Sequence, residues 1–138
     1  MNAPTPPHDS RGAASGGPTR SSNFGFVRYV WPTAYEECLK VERFVDADPV
    51  ISCFYARKVL ERVVNHIWAF RSLGDTRYLS LAEMTRDRGF LQCVKNETIL
   101  RKMTILRKSG NDAAHADDME GKQAPATPQK ARAVVAHL

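Results

Sequence analysis

From Pro49 to about Arg71 the chain runs for some 22 residues without a glycine or a second proline, and its apolar residues recur at helical spacing. Cys53, Ala56, Leu60, Val63, Ile67 and Phe70 fall on one face, with Arg57, Arg62 and Asn65 among the polar positions. A strand alternates its side chains between two faces and cannot produce that pattern. The stretch is read as one helix, roughly 33 Å long at 1.5 Å per residue. Apolar residues on more than one side require several neighbours, so this helix is the spine of whatever fold forms. Asp48-Pro49 opens it: the carboxylate can accept from a first-turn amide, and the proline stands where a missing N–H costs nothing.

The remaining segments supply helices to pack on that spine. Pro32 starts one from Thr33 to about Asp46, with Ala34, Cys38, Val41 and Val45 in a single stripe. Gly74-Asp75 breaks the chain. Ser80 can cap a short helix carrying Leu81, Met84 and Thr85, and Gly89 interrupts before Phe90, Leu91 and Val94, so one or two short helices are expected before Lys95. Asn96 and Thr98 begin a further helix with Ile99, Met103 and Leu106 at i, i+4 and i+7. Thr127-Pro128 opens a last one in which Ala131, Val134, Val135 and Leu138 can pack. No Gly, Asn or Pro closes that helix, so it is expected to reach Leu138 and to be cut from something longer. The aromatic stretch Phe24 to Trp31 is expected to pack against the body as an ordered lead-in. Strand signals are nearly absent and no repeat is visible, which makes the class all-α: a bundle of about four main helices plus short ones.

At 138 residues there is material for one core, expected over 24–138, behind a disordered tail at 1–23. The first 22 residues are rich in Pro, Ser, Gly, Ala and Thr and resemble neither a signal peptide nor an anchor. No apolar run approaches the ~20 residues needed to cross a bilayer. A soluble, cytoplasmic protein without membrane contact is expected. Cys38, Cys53 and Cys93 are odd in number, widely spaced and embedded in helical patterns, which argues for free buried thiols in a reducing compartment. Paired CxxC or HxxxH spacing is missing, so neither a metal nor another cofactor is expected. The formal charge of +5 permits a polyanionic partner if the basic residues gather on one face.

Chemistry-bearing residues gather in Leu106 to His115, which reads L-R-K-S-G-N-D-A-A-H. If the helix continues through it, Arg107, Asn111 and His115 fall at i, i+4 and i+8 along one side. That combination offers a planar cationic fork, an amide and an imidazole able to exchange protons near neutral pH. The competing reading is architectural: Gly110-Asn111 is also a helix C-cap signature, with Arg107 and Lys108 complementing the negative helix end. Arg101, Lys102, Arg107 and Lys108 are the basic candidates for phosphate contact, or else a solvated face. Arg57 and Glu61 pair at i, i+4, either as a surface pair or as a partly buried pair that orients His115. Asp117, Asp118 and Glu120 lie close together but suit an exposed loop better than a two-metal nuclease site. Gly121-Lys122 is followed by Gln123 and lacks the upstream glycine of an ATP phosphate loop, and neither GxGxxG nor GxSxG occurs.

Three blocks in order, W-P-T-A-Y-E-E-C-L-K-V-E from Trp31, D-P-V-I-S-C-F-Y-A-R-K-V-L-E from Asp48 and L-R-K-S-G-N-D-A-A-H from Leu106, resemble the N-terminal helical domain of type I restriction enzyme R subunits. That domain is similar in turn to the HEPN superfamily, whose active members cleave RNA with an Arg and a nearby His. Asn111 and His115 match half of that pattern, Gly110 stands where active members carry Arg, and Arg107 lies farther from His115 than their spacing. The resemblance implies an accessory module that binds nucleic acid, DNA ahead of RNA, or neighbouring restriction-complex subunits. Its parent would be an ATP-dependent DNA translocase and endonuclease. The alternative it implies is a stand-alone, metal-independent ribonuclease using His115 and Arg107. A homodimer is also implied as an option.

Overall fold

The computed structural model describes residues 21–115 and 127–138. The expected tail falls almost wholly outside the described residues, as does the expected acidic loop with Asp117, Asp118, Glu120, Gly121 and Lys122. Among the described residues there are six α-helices and no strand: α1 (Pro32–Ala47), α2 (Pro49–Phe70), α3 (Leu81–Arg86), α4 (Arg88–Val94), α5 (Glu97–Ala114) and α6 (Pro128–Val135), preceded by a 3-10 turn at Gly25–Val27. The all-α class is as the periodicity predicts. None of these helices is long and apolar enough to cross a membrane.

Five of the six helices begin on a side chain that accepts a first-turn amide. Asp48 accepts from Ile51 at 3.1 Å, Asp87 from Phe90 at 3.1 Å, Asn96 from Ile99 at 3.1 Å and Thr127 from Lys130 at 3.3 Å. Ser80 and Glu83 form a reciprocal capping box: the Ser80 amide donates to the Glu83 carboxylate at 2.7 Å, and the Glu83 amide donates to the Ser80 hydroxyl at 3.2 Å. The cap at Asp87 corrects the expectation that Gly89 interrupts the region. Gly89 lies inside α4, and the break falls at Asp87, whose backbone is extended. After α2 the chain turns through Ser72 and Gly74, both at positive φ, while the Leu73 amide reaches back to the Trp68 carbonyl.

α2 lies between α1 and α5, and α6 closes against α1 and α2. The main core joins Val41 of α1, Ala56, Leu60, Val64 and Trp68 of α2, Leu81 and Met84 of α3, Phe90 of α4, and Met103 and Leu106 of α5. A second cluster, Cys53, Ala113 and Ala131, ties α6 to the far ends of α2 and α5. Small residues there let three helices approach closely. Ser52 is fully buried and donates its hydroxyl to the Val41 carbonyl at 2.8 Å, pinning α2 to α1.

The α2 stripe is rotated from its expected face. Ser52, Cys53, Ala56, Val59, Leu60, Val64 and Trp68 are buried, whereas Val63 and Ile67 are half-buried and Phe70 is 76% exposed. The lead-in packs only in part: Phe24 and Trp31 are half-buried, while Phe26, Tyr29 and Val30 stand in solvent. α6 ends at Val135, with Ala136 as its C-cap, and so does not continue to Leu138 as expected.

All three cysteines are free, Cys38 and Cys53 buried and Cys93 half-buried. Burial, reinforced by the Glu37 and Glu42 carboxylates, pushes the Cys38 thiol up to about 11 from 9.0, and burial raises Cys53 as well. The unfolded chain therefore gives up these protons first as pH rises, and stability falls as pH climbs from 9 towards 11. A thiol reagent added to native protein is expected to label Cys93 within minutes and the other two only at the rate of opening. Mass spectrometry of the labelled peptides checks this, and equal labelling of all three would contradict the packing.

Candidate functional site

Helix α5 carries a buried seam of Met103, Leu106, Gly110 and Ala113, spaced to face α2 and α6. At Gly110 α5 lies directly against Arg57 of α2. A Cβ built there would sit 2.2 Å from the Arg57 Cβ, 2.7 Å from its Cδ and 2.9 Å from its Cγ. The Arg57 stem thus fills the space a side chain at position 110 would occupy. Contact with α2 offsets the conformational freedom that glycine loses in a helix interior, about 1 kcal/mol relative to alanine.

This approach explains why Gly110-Asn111 does not cap the helix. α5 continues to Ala114, and the His115 amide closes it by donating to the Asn111 carbonyl at 3.2 Å. The C-cap reading is corrected, and the continuous path is the one followed. Arg107, Asn111 and His115 therefore lie along one flank of α5 beside the seam, the first two half-buried and His115 exposed.

The other basic candidates do not extend this flank into one stripe. At about 100° per residue, Arg101 and Lys108 share the outer face of α5, and Lys102 falls on the flank opposite Arg107. All three are exposed, and Arg101 stands 3.9 Å from Glu97.

Arg57 and Glu61 form their pair at 3.1 Å, with side chains 22% and 37% exposed. The pair is partly buried and is made within α2. Arg57 Nε is buried with no hydrogen-bond partner among the described residues. The Arg57 stem thus lies against the helix that carries Asn111 and His115, and its guanidinium pairs with Glu61 on α2. Among the described residues no three metal-ligating side chains come together.

Two features escaped the sequence reading because their members are far apart in the chain. Glu37 of α1 is buried and accepts two hydrogen bonds from Arg62 of α2, at 2.6 Å from Nε and 2.9 Å from Nη2. That bond raises the Arg62 guanidinium further above its usual range. Phe44, Phe54 and Tyr55 form a ring cluster across α1 and α2, with Lys40 4.9 Å above the Tyr55 ring and Lys58 5.4 Å from the Phe54 ring.

Chemically, the flank combines a bidentate cation, an amide and an imidazole with the basic outer face next to it. Such a set can donate hydrogen bonds to an anion such as a phosphate or carboxylate. Compared with models of known families, with curated proteins and with solved structures, the chain matches none.

Proposed function

We propose that this chain is a nucleic-acid-binding helical module of the kind that stands at the N-terminus of type I restriction R subunits. Arg107, Asn111 and His115 would meet the phosphate backbone, with Lys108 and Arg101 on the adjoining face adding longer-range attraction. The observation that carries this reading is the unbroken course of α5 through Gly110, which aligns the three side chains along one flank. Had the helix ended at Gly110, Asn111 and His115 would have left that line. The three sequence blocks that resemble the R-subunit domain support the same reading, and the HEPN-like fold, the DNA-first preference and the restriction-complex partners belong to it.

The test is fluorescence anisotropy with labelled DNA and RNA at low ionic strength. Arg107→Ala is expected to weaken binding roughly five- to tenfold, while Lys102→Ala on the opposite flank has little effect. Equal affinities for wild type and Arg107→Ala would sink the assignment.

One observation favours a second reading, metal-independent RNA cleavage. Gly110 stands where the resembled pattern carries an arginine, and the Arg57 side chain from α2 packs against that glycine. In this reading His115 transfers a proton and a guanidinium stabilises charge on the phosphate. It predicts RNA cleavage that survives a chelator and is lost in His115→Ala. Intact RNA after prolonged incubation with wild type would remove it.

A further inference from the structure

A separate face of the molecule, formed by the lead-in and the C-terminal end of α2, carries stacked rings open to solvent. Trp31 and His66 have ring centroids 5.1 Å apart at 48°, and His66 and Phe70 follow at 6.2 Å and nearly parallel, at 13°. The ladder ends on Phe70, whose ring is exposed, and Tyr29 just before Trp31 is 84% exposed. The Arg28 guanidinium stands 5.7 Å from the Tyr29 ring centroid. Exposed aromatics joined in this way are costly for a surface with nothing to bind.

Arginine is the charged residue next to the two most exposed rings, Arg28 before Tyr29 and Arg71 after Phe70, and acidic residues begin at Glu36, Glu61 and Asp75. Residues 21–35 and 62–74 contain Arg28, Arg62 and Arg71 and no Asp or Glu. Three α1 carboxylates reach these segments: Glu37 holds Arg62, Glu42 accepts the Asn23 amide at 2.8 Å, and Glu36 lies with Ser21, Ser22, Asn23 and Phe24 around one cavity. Rings with open faces flanked by Arg28 and Arg71 fit a ligand that alternates flat π systems with negative charge. That description is met by unpaired nucleotides, whose bases stack on aromatic side chains whatever their sequence. A purely apolar partner surface would satisfy the rings but leave Arg28 and Arg71 without anions.

We propose that this face binds single-stranded nucleic acid, with bases stacked on Phe70 and Tyr29 and the linking phosphates met by Arg28 and Arg71. The proposal stands independently of the α5 flank, which carries no exposed Phe, Tyr or Trp.

Anisotropy titrations with labelled oligo-dT, oligo-rU and a duplex of equal length test it. Single strands are expected to bind more tightly than duplex. Phe70→Ala and Tyr29→Ala should each weaken single-strand binding about tenfold with an unchanged melting temperature, since both side chains are exposed. Arg71→Ala should flatten the salt dependence. The DNA and RNA arms report whether the sugar is discriminated. Single-strand affinity that survives Phe70→Ala and Tyr29→Ala but falls in Arg107→Ala would overturn this proposal and leave the α5 reading intact. The proposal is equally overturned if sedimentation shows a dimer that Phe70→Ala dissociates while oligonucleotide binding stays unchanged.

Discussion

Gly110→Ala is expected to destabilise the protein by roughly 3 kcal/mol, at the upper end of what over-packing a core costs. On helix propensity alone the change would stabilise by about 1 kcal/mol, so the sign of the effect separates the two arguments. Packing wins because the atom that an added methyl meets is the Arg57 Cβ at 2.2 Å, fixed to the α2 backbone, and not the far end of a flexible chain. Relief would require α2 and α5 to separate along a seam shared by Met103, Leu106 and Ala113. Thermal unfolding followed by circular dichroism should show a fall of roughly 10 °C or more. The double variant Arg57→Gly/Gly110→Ala moves the missing Cβ from one helix to the other and should recover more than about 1 kcal/mol relative to the sum of its singles. An unchanged or raised melting temperature in Gly110→Ala would mean that the helices do not approach as described.

The second large effect concerns Glu37 and Arg62. Glu37 is only 8% exposed, among residues of the α1 seam, and Arg62 makes both of its side-chain hydrogen bonds. Arg62→Ala would leave a carboxylate in that position with neither a partner nor full access to water. Breaking a fully buried pair costs about 3–5 kcal/mol. Here the arginine side chain is 43% exposed, so water can enter in its place, and about 2 kcal/mol is expected. Replacing both residues with leucine should return most of that loss, since the charge and its partner disappear together. Urea titrations of the three variants measure it. A single Arg62→Ala variant as stable as wild type would show that the pair does not hold α1 to α2.

The helices were legible in the sequence wherever local chemistry determined them. Asp48-Pro49, Ser80 with Glu83, Asn96 and Thr127-Pro128 each announce a helix start through a side chain that accepts its own first-turn amide, and all four do so. What was not legible depends on contacts between distant residues. Gly110-Asn111 reads equally well as a cap or as a mid-helix seam, and only the presence of Arg57 opposite the glycine decides between them. The helical continuation placed Arg107, Asn111 and His115 on one flank, as one of the two sequence readings predicts. Phe70 fits the apolar period but stands in solvent, because α2 turns its stripe towards Trp68, whose indole N–H donates to the Met84 carbonyl at 3.4 Å. Glu37 and Arg62, 25 positions apart, leave no local signal at all. Asp87 can accept from its own first-turn amides, but the nearby Gly89 is the stronger breaker signal in sequence.

The central claim is that the flank of α5 binds nucleic acid through its phosphates. It is tested most directly by measuring the affinity of wild type and of Arg107→Ala/Lys108→Ala for one labelled DNA across a series of salt concentrations. The predicted result is a linear fall of log affinity with log salt for wild type, and a slope shallower by at least about one in the double variant, because the lost Arg107 phosphate contact removes about one released counterion and the loss of Lys108 adds to it. Binding that is insensitive to salt, or a slope identical in the two proteins, would contradict the claim.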